Sequence, residues 1–433
     1  MSMISNKRRI FLAIALLLVA VSALAQDRFP RPEFESEYVR PTTTTPAPET
    51  NTWAVVDVAA LVLALSLASF FALKTRSRRQ MFGLMAVSLL YFGFIREGCV
   101  CSVGAIQNMA LALFDKSTLL PWTVAAFFII PLLFALFFGR TFCAAVCPLG
   151  AAQDVVSVKH ARIPTWLGRV LGLIPYLYLG FSILFAATGS AFIICKYDPF
   201  VTIFRFTGSF WMVMLAVGFI ALSVFVNRPY CRFLCPYGVL LGWMSQLSKH
   251  HLSITPNDCI QCRLCEDVCP VDAINKPLPD KAPETRRSGM KRLSRLLILL
   301  PAVAILSGWA LASTNGLLSR VHPKVALEHR LHLEESGQVT GTTLETRTFK
   351  TMGIPREDLK AEVAVIQNQY RVGGWILGIF LGVVFVTQLI GLSVKRTRAD
   401  YEPNRSTCVS CGRCFLSCPK EHQRLKKEKD TLS

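Results

Sequence analysis

Gly139–Gly150 reads GRTFCAAVCPLG, and Asn227–Gly238 reads NRPYCRFLCPYG. Each stretch closes a long apolar run, the first ending in PLLFALFF and the second in IALSVFV. Each puts an arginine, then Cys-x-x-x-Cys-Pro-x-Gly, where that run stops. Cys143 and Cys147 return as Cys231 and Cys235 (143 to 231, 147 to 235), a shift of 88 residues. Apolar runs of about 20 residues match the thickness of a bilayer core. A repeated unit of this kind implies a membrane protein built from two related hairpins.

The rest of the chain agrees. Hydrophobic residues make up 52% and charged residues 17%, so most of the apolar side chains need lipid or one another. A net charge of +19 would suit nucleic acid, but the Lys and Arg flank the apolar runs. There they read as cytoplasmic markers under the positive-inside rule, and no nucleic-acid partner is expected. Seven spans are expected, near 53–73, 81–95, 119–139, 169–189, 208–227, 296–312 and 373–394. The weakest, 81–95, is required because basic KTRSRR (74–79) and Arg140 must lie on one side.

Residues 1–25 read as a signal peptide. Lys7, Arg8 and Arg9 precede an apolar stretch, and Ala23-Leu24-Ala25 forms a small-residue cleavage site. Residues 26–52 form an extracytoplasmic Pro/Thr linker. The transmembrane core spans 53–247, followed by a cytoplasmic segment at 248–292. Two further helices fill 293–394, with an outer loop at 313–372. A cytoplasmic segment and basic tail occupy 395–433. This places a multi-pass protein in the bacterial cytoplasmic (inner) membrane, its C-terminus inside.

Fifteen cysteines are too many for incidental use. CIQCRLCEDVCP supplies Cys259, Cys262, Cys265 and Cys269; CVSCGRCFLSCP supplies Cys408, Cys411, Cys414 and Cys418. This C-x2-C-x2-C-x3-C-P run is the bacterial [4Fe–4S] pattern, in which the fourth cysteine serves the other cluster. The expected ligands are therefore crossed: Cys259, Cys262, Cys265 and Cys418 for one cluster, Cys408, Cys411, Cys414 and Cys269 for the other. Zinc is the competing reading, but zinc motifs pair two cysteines with a distant pair. The fold expected is an all-α polytopic membrane protein. It carries a small ferredoxin-like 2×[4Fe–4S] module assembled from two separated segments.

Cys143, Cys147, Cys231 and Cys235 would form an inner tetrathiolate site. Residues at i and i+4 share a helix face, and two facing pairs offer four thiolates to an iron–sulfur cluster or zinc. Pro148 and Pro236 are expected to end or kink the helix just past the second cysteine. The alternative is small apolar cysteines at a packing seam. Cys99, Cys101 and Cys195 form an outer set, either a further centre completed by Asp198 or a disulfide with a spare thiol. One or two iron–sulfur centres would then join the two ferredoxin clusters. His322, His329 and His332 lie in the outer loop without a ligand pattern. Arg96 and Glu97 read as an interfacial pair. No nucleophile–base constellation is present, so a non-catalytic electron-transfer subunit is expected.

Paired Cys-x-x-x-Cys-Pro motifs at span ends, joined to ferredoxin quartets over residues 80–270 and 395–420, resemble the membrane polyferredoxins of the NosR/NirI/NapH group. The resemblance implies electron transfer between the quinol pool or a cytoplasmic reductant and an extracytoplasmic reductase or cytochrome. Two other readings stay open: a maturation factor handling metal for a copper oxidase, and a redox-sensing regulator.

Overall fold

The computed structural model describes residues 51–98, 101–115, 118, 120–158, 161, 163–254, 259–277, 286–393, 398 and 400–432. The signal peptide, nearly all of the Pro/Thr linker, and Cys99 lie outside these residues.

The first part of the chain forms α1 (Asn51–Leu73), α2 (Arg78–Ser88), a π-helical turn (Leu89–Ile95), α3 (Ser102–Phe114), α4 (Trp122–Phe138), α5 (Thr141–Ala145) and α6 (Pro148–Val156). Next come α7 (Thr165–Leu171), α8 (Ile174–Ala187), α9 (Ile193–Lys196), α10 (Pro199–Arg205), α11 (Phe210–Phe225), α12 (Pro229–Phe233) and α13 (Pro236–Gln246). The remainder supplies α14 (Leu264–Val268), β1 (Ile274–Asn275), α15 (Arg286–Ser313), α16 (Asn315–Leu318), α17 (Pro323–Glu335), α18 (Leu344–Thr351), α19 (Arg356–Ser393), β2 (Glu402–Pro403), α20 (Arg413–Ser417) and α21 (Pro419–Leu432).

Among the described residues, four stretches are long and apolar enough to cross a membrane: Thr52–Leu73, Trp166–Ala187, Arg287–Ser313 and Arg356–Ser393. Counting α10 and α11 as one span bent by 100° gives five. The expected count of about seven is therefore shown only to four or five, the other apolar segments being shorter. The segment at 81–95 divides into α2 and a π-turn. Helix α4 has 17 residues, about 26 Å at 1.5 Å per residue, short of a ~30 Å core.

The repeat is explicit in the helices. Trp122 and Phe210 open α4 and α11; Thr141 and Pro229 open α5 and α12; Pro148 and Pro236 open α6 and α13, each at the same 88-residue shift (148 to 236). Helix α4 is wholly apolar and ends because Gly139 turns to φ +76°. The main core lies between the two units and α1, with Leu65, Met85, Phe127, Phe142, Tyr230 and Tyr237 inside it.

Helices α15 and α19 form an antiparallel pair beside α8. Small residues face each other along it, and Ser307 Oγ donates to the Gly378 carbonyl at 2.7 Å. Such stripes let membrane helices approach closely. Outside that pair, α17 and the start of α19 bury Val325, Leu331, Leu359 and Val363 as a small helical unit. His322 is the N-cap of α17, its Nδ1 accepting from Lys324 N–H at 3.2 Å.

The two ferredoxin segments meet. β1 pairs antiparallel with β2, Ile274 opposite Pro403. Leu252, Ile254, Cys265, Tyr401, Cys414 and Phe415 pack as one core. The two segments therefore share one face of the protein, with α15 and α19 between them in sequence.

Candidate functional site

Proline decides where the inner cysteines sit. Pro148 and Pro236 occupy the first turns of α6 and α13, with Cys147 and Cys235 as extended N-cap residues. Proline lacks an N–H, fixes φ near −65° and pushes the preceding residue into extended backbone, which suits this position. The expectation that Cys143 and Cys147 share one helix face, with proline ending that helix, is therefore corrected. Cys143 rides on α5, Cys147 caps α6, and proline starts a helix. The second repeat does the same with Cys231 on α12 and Cys235 capping α13.

The four sulfurs nevertheless converge. Burial pushes the Cys147 thiol well above its usual range, and Cys231, Cys143 and Cys235 add to the rise. Cys231 is pushed up to about 11, first by burial, with Arg228 opposing and Cys143 reinforcing it. Without a metal these thiols would rest protonated and neutral. A metal centre would replace their protons and neutralise the buried charge.

Side chains that sequence reasoning passed over complete the setting. Gln153 on α6 accepts from Tyr230 N–H at 3.0 Å and donates to Cys231 Sγ at 3.3 Å, tying one repeat to the other. Arg228 donates through Nη1 to the Cys143 carbonyl and pairs with Asp154 at 3.3 Å. Arg140, its counterpart in the first repeat, points Nη2 at Cys143 Sγ at 3.8 Å and donates through Nη1 to the Ser406 carbonyl at 2.9 Å. The signal for both was visible: an arginine three residues before each cysteine pair. It was read only as a topology charge. Gly150 and Gly238 leave room for these guanidinium groups; a Cβ there would lie 3.5 Å from Arg228 Nη1 and 3.1 Å from Arg140 Nη2.

In the ferredoxin module, Cys259, Cys262, Cys265 and Cys418 line one recess of about 350 Å³, with Arg263 and Lys420 at its rim. Burial raises Cys265 to about 11, and Cys259, Cys262 and Cys418 contribute. Cys269 lies instead beside Cys411. Burial raises Cys408 to about 12, with Cys411 and Cys269 adding to it. The structure thus brings the two crossed quartets together as sets. Among the described residues, no three His, Cys, Asp or Glu side chains form a group that could hold one metal ion. A multi-atom cluster needs cysteines around a larger space, and the recess fits that chemistry.

Cys101 caps α3 as Cys147 caps α6, with serine in place of proline. Gln107 accepts from Ile194 N–H at 2.9 Å and Cys195 N–H at 3.2 Å, echoing Gln153. Cys101 is raised to about 12 by burial, with Asp198 and Cys195 nearby. Every described cysteine is a free thiol, Cys101 and Cys195 included. A cavity of about 290 Å³, lined by Phe92, Phe127, Phe142 and Leu149, reaches from Cys101 to Cys147.

Comparison with known proteins fits this geometry. A family described as 4Fe-4S binding domain matches residues 120–173 and 208–255, covering both cysteine repeats, and a second family of the same description matches 252–275. Protein NirI of Paracoccus denitrificans is 33% identical over 51% of this chain and 35% of its own length. Regulatory protein NosR of Pseudomonas aeruginosa is 27% identical over 45% of this chain and 29% of its own. The chain is similar to both of these proteins over part of its length. Methylamine utilization ferredoxin-type protein MauN of Paracoccus denitrificans is a further relative, 29% identical over 36% of this chain and 58% of its own length. The chain thus spans only about a third of NirI and of NosR. No solved structure gives a significant match. Both family matches point to iron–sulfur of the [4Fe–4S] type as the cofactor.

Proposed function

We propose that the chain is an electron conduit through the bacterial inner membrane, its C-terminus cytoplasmic. One-electron steps pass between two cytoplasmic clusters, an inner centre on Cys143, Cys147, Cys231 and Cys235, and an outer centre that includes Cys101 and Cys195, with Cys99 as a further ligand. The crossed quartets hold the cytoplasmic clusters. A cytoplasmic reductant or the quinol pool lies at one end and an extracytoplasmic reductase or cytochrome at the other. Substrate chemistry belongs to those partners.

The observation that carries this reading is the convergence of four cysteines from two repeats, beside the second ferredoxin loop. A ~30 Å hydrocarbon core is too thick for one efficient tunnelling step, so intermediate centres are required. A bound metal would neutralise these cysteines as ionised ligands, which their burial otherwise disfavours. The cavity between Cys101 and Cys147 supports continuity from inner to outer cysteines.

The test is iron and acid-labile sulfide per chain, with EPR on the reduced, detergent-purified protein. About eight irons mean ferredoxin clusters alone; more require a membrane centre. Cys143→Ser and Cys231→Ser are expected to remove one and the same signal and to leave the ferredoxin signals intact. Unchanged spectra in both variants would overturn the inner assignment.

A further inference from the structure

We propose that the two ferredoxin clusters have fixed, unequal places in the conduit: the one on Cys408, Cys411, Cys414 and Cys269 exchanges electrons with the inner membrane cysteines, the one on Cys259, Cys262, Cys265 and Cys418 meets the soluble carrier, and Asp154 is the positioning residue that sets this order. The inference rests on the proposed conduit and adds the sequence of steps within it.

Asp154 sits on α6, about two turns past Cys147. Its carboxylate is 1% exposed and accepts from Arg78 at 2.8 Å, Arg413 at 2.7 Å and Arg228 at 3.3 Å. Each arginine leads somewhere specific. Arg413 lies between Cys411 and Cys414 in the second ferredoxin loop. Arg78 also donates to the Cys411 carbonyl at 3.1 Å. Arg228 reaches the Cys143 carbonyl in the inner site. One buried carboxylate therefore ties the second loop to the inner cysteines through three guanidinium groups.

Arg140 makes a second tie, from beside Cys143 Sγ to the Ser406 carbonyl just before Cys408. Val409, Ser410, Cys411 and Phe415 are buried. The first loop has the opposite setting. Ile260, Cys262 and Leu264 are exposed, and its recess opens to solvent. Tunnelling falls off exponentially with distance, so a loop clamped against the inner site and a loop facing water cannot serve interchangeably.

The step is electron transfer only. A one-electron carrier is oxidised by one electron, the first cluster is reduced by one, and that electron passes to the second cluster and then the inner centre. No bond or proton moves, and the chain of centres works equally in reverse.

The experiment uses the full detergent-purified chain, with reduced methyl viologen as the one-electron donor and freeze-quench EPR as the readout. In Asp154→Asn, iron and sulfide per chain and the reduction rate of the first cluster are expected to stay unchanged. Reduction of the inner centre should slow by about tenfold or more, as small misplacements produce. The spin–spin broadening between second cluster and inner centre should weaken. Arg413→Gln removes the same tie from the other side and must reproduce the result, which protects the test if Asp154→Asn fails to retain its clusters. Unchanged inner-centre kinetics and coupling in a fully loaded variant would overturn the order proposed. Absence of any inner-centre signal in the wild-type protein would instead overturn the conduit on which it rests.

Discussion

The loops Cys259–Cys269 and Cys408–Cys418 carry the same cysteine spacing but not the same surroundings. Both turn through left-handed backbone at equivalent places: Gln261 (φ +52°) and Arg263 (φ +64°) in the first, Ser410 (φ +53°) and Gly412 (φ +72°) in the second. Both then enter a five-residue helix, α14 or α20. The difference lies in what stands between the cysteines. The first loop presents Ile260 and Leu264 to solvent, 56% and 44% exposed. The second buries Val409 and Phe415, and Arg413 reaches Asp154 at 2.7 Å. Cysteine spacing specifies that a cluster binds. The intervening residues specify where it is held.

The largest effect expected concerns ligand exchange between the loops. Cys418→Ser should remove the same EPR signal as Cys259→Ser, costing about four irons per chain. Cys269→Ser should remove the other, together with Cys408→Ser. Pairing of Cys418 with Cys408 in such a series would break the crossed arrangement.

A smaller effect separates the left-handed positions. A Cβ at Gly412 meets nothing nearer than Phe415 Cδ2 at 3.7 Å, so space is not limiting there. The backbone is the constraint, and Gly412→Ala should cost about 1–2 kcal/mol. Arg263→Gly, at the equivalent site, removes that strain and should leave stability nearly level, the gain being offset by glycine's chain entropy. Denaturant unfolding of the two variants checks the contrast. Equal losses would mean that neighbours, not backbone, set the cost.

The smallest effect is a null between pH 8 and 5. Burial alone would raise the Asp154 pKa, but Arg228, Arg413 and Arg78 outweigh it and hold the carboxyl well below the usual range. A depressed folded pKa contributes stability that is complete above the unfolded value of about 3.9 and is lost only as pH falls through the folded one. Hydrogen exchange of the 409–415 amides, corrected for intrinsic rate, should therefore show the same protection at both pH values. Loss of protection by pH 5 would mean that another group holds the second loop.

Much of the candidate site was legible because ligand chemistry leaves a spacing. The quartets and the doubled Cys-x-x-x-Cys-Pro step are visible as strings, and Cys259, Cys262, Cys265 and Cys418 line one recess. The number of spans was less legible. Hydropathy marks apolar runs, but length, a π-turn and the bend between α10 and α11 decide which of them can cross. The basic segment at 74–79 carries more than a topology signal. Its charge fits a topology signal, yet Arg76 pairs with Glu421 at 2.9 Å and stacks on Phe415, and Arg78 binds Asp154. A charge count cannot separate solvated arginines from buried ones.

Local rules in the sequence determined the sulfur ligand types, their repeat and the apolar runs, because each depends on residues a few positions apart. Only the folded chain decided that Cys147 caps a helix instead of sharing a face with Cys143. The same holds for Arg140 and Arg228 facing sulfur and for the choice between two matching loops. Those outcomes depend on contacts across as many as 333 positions, as between Arg78 and Cys411. Excluding water around those charges is costly, and it is tolerated only because distant segments pair them, which no short window of sequence shows.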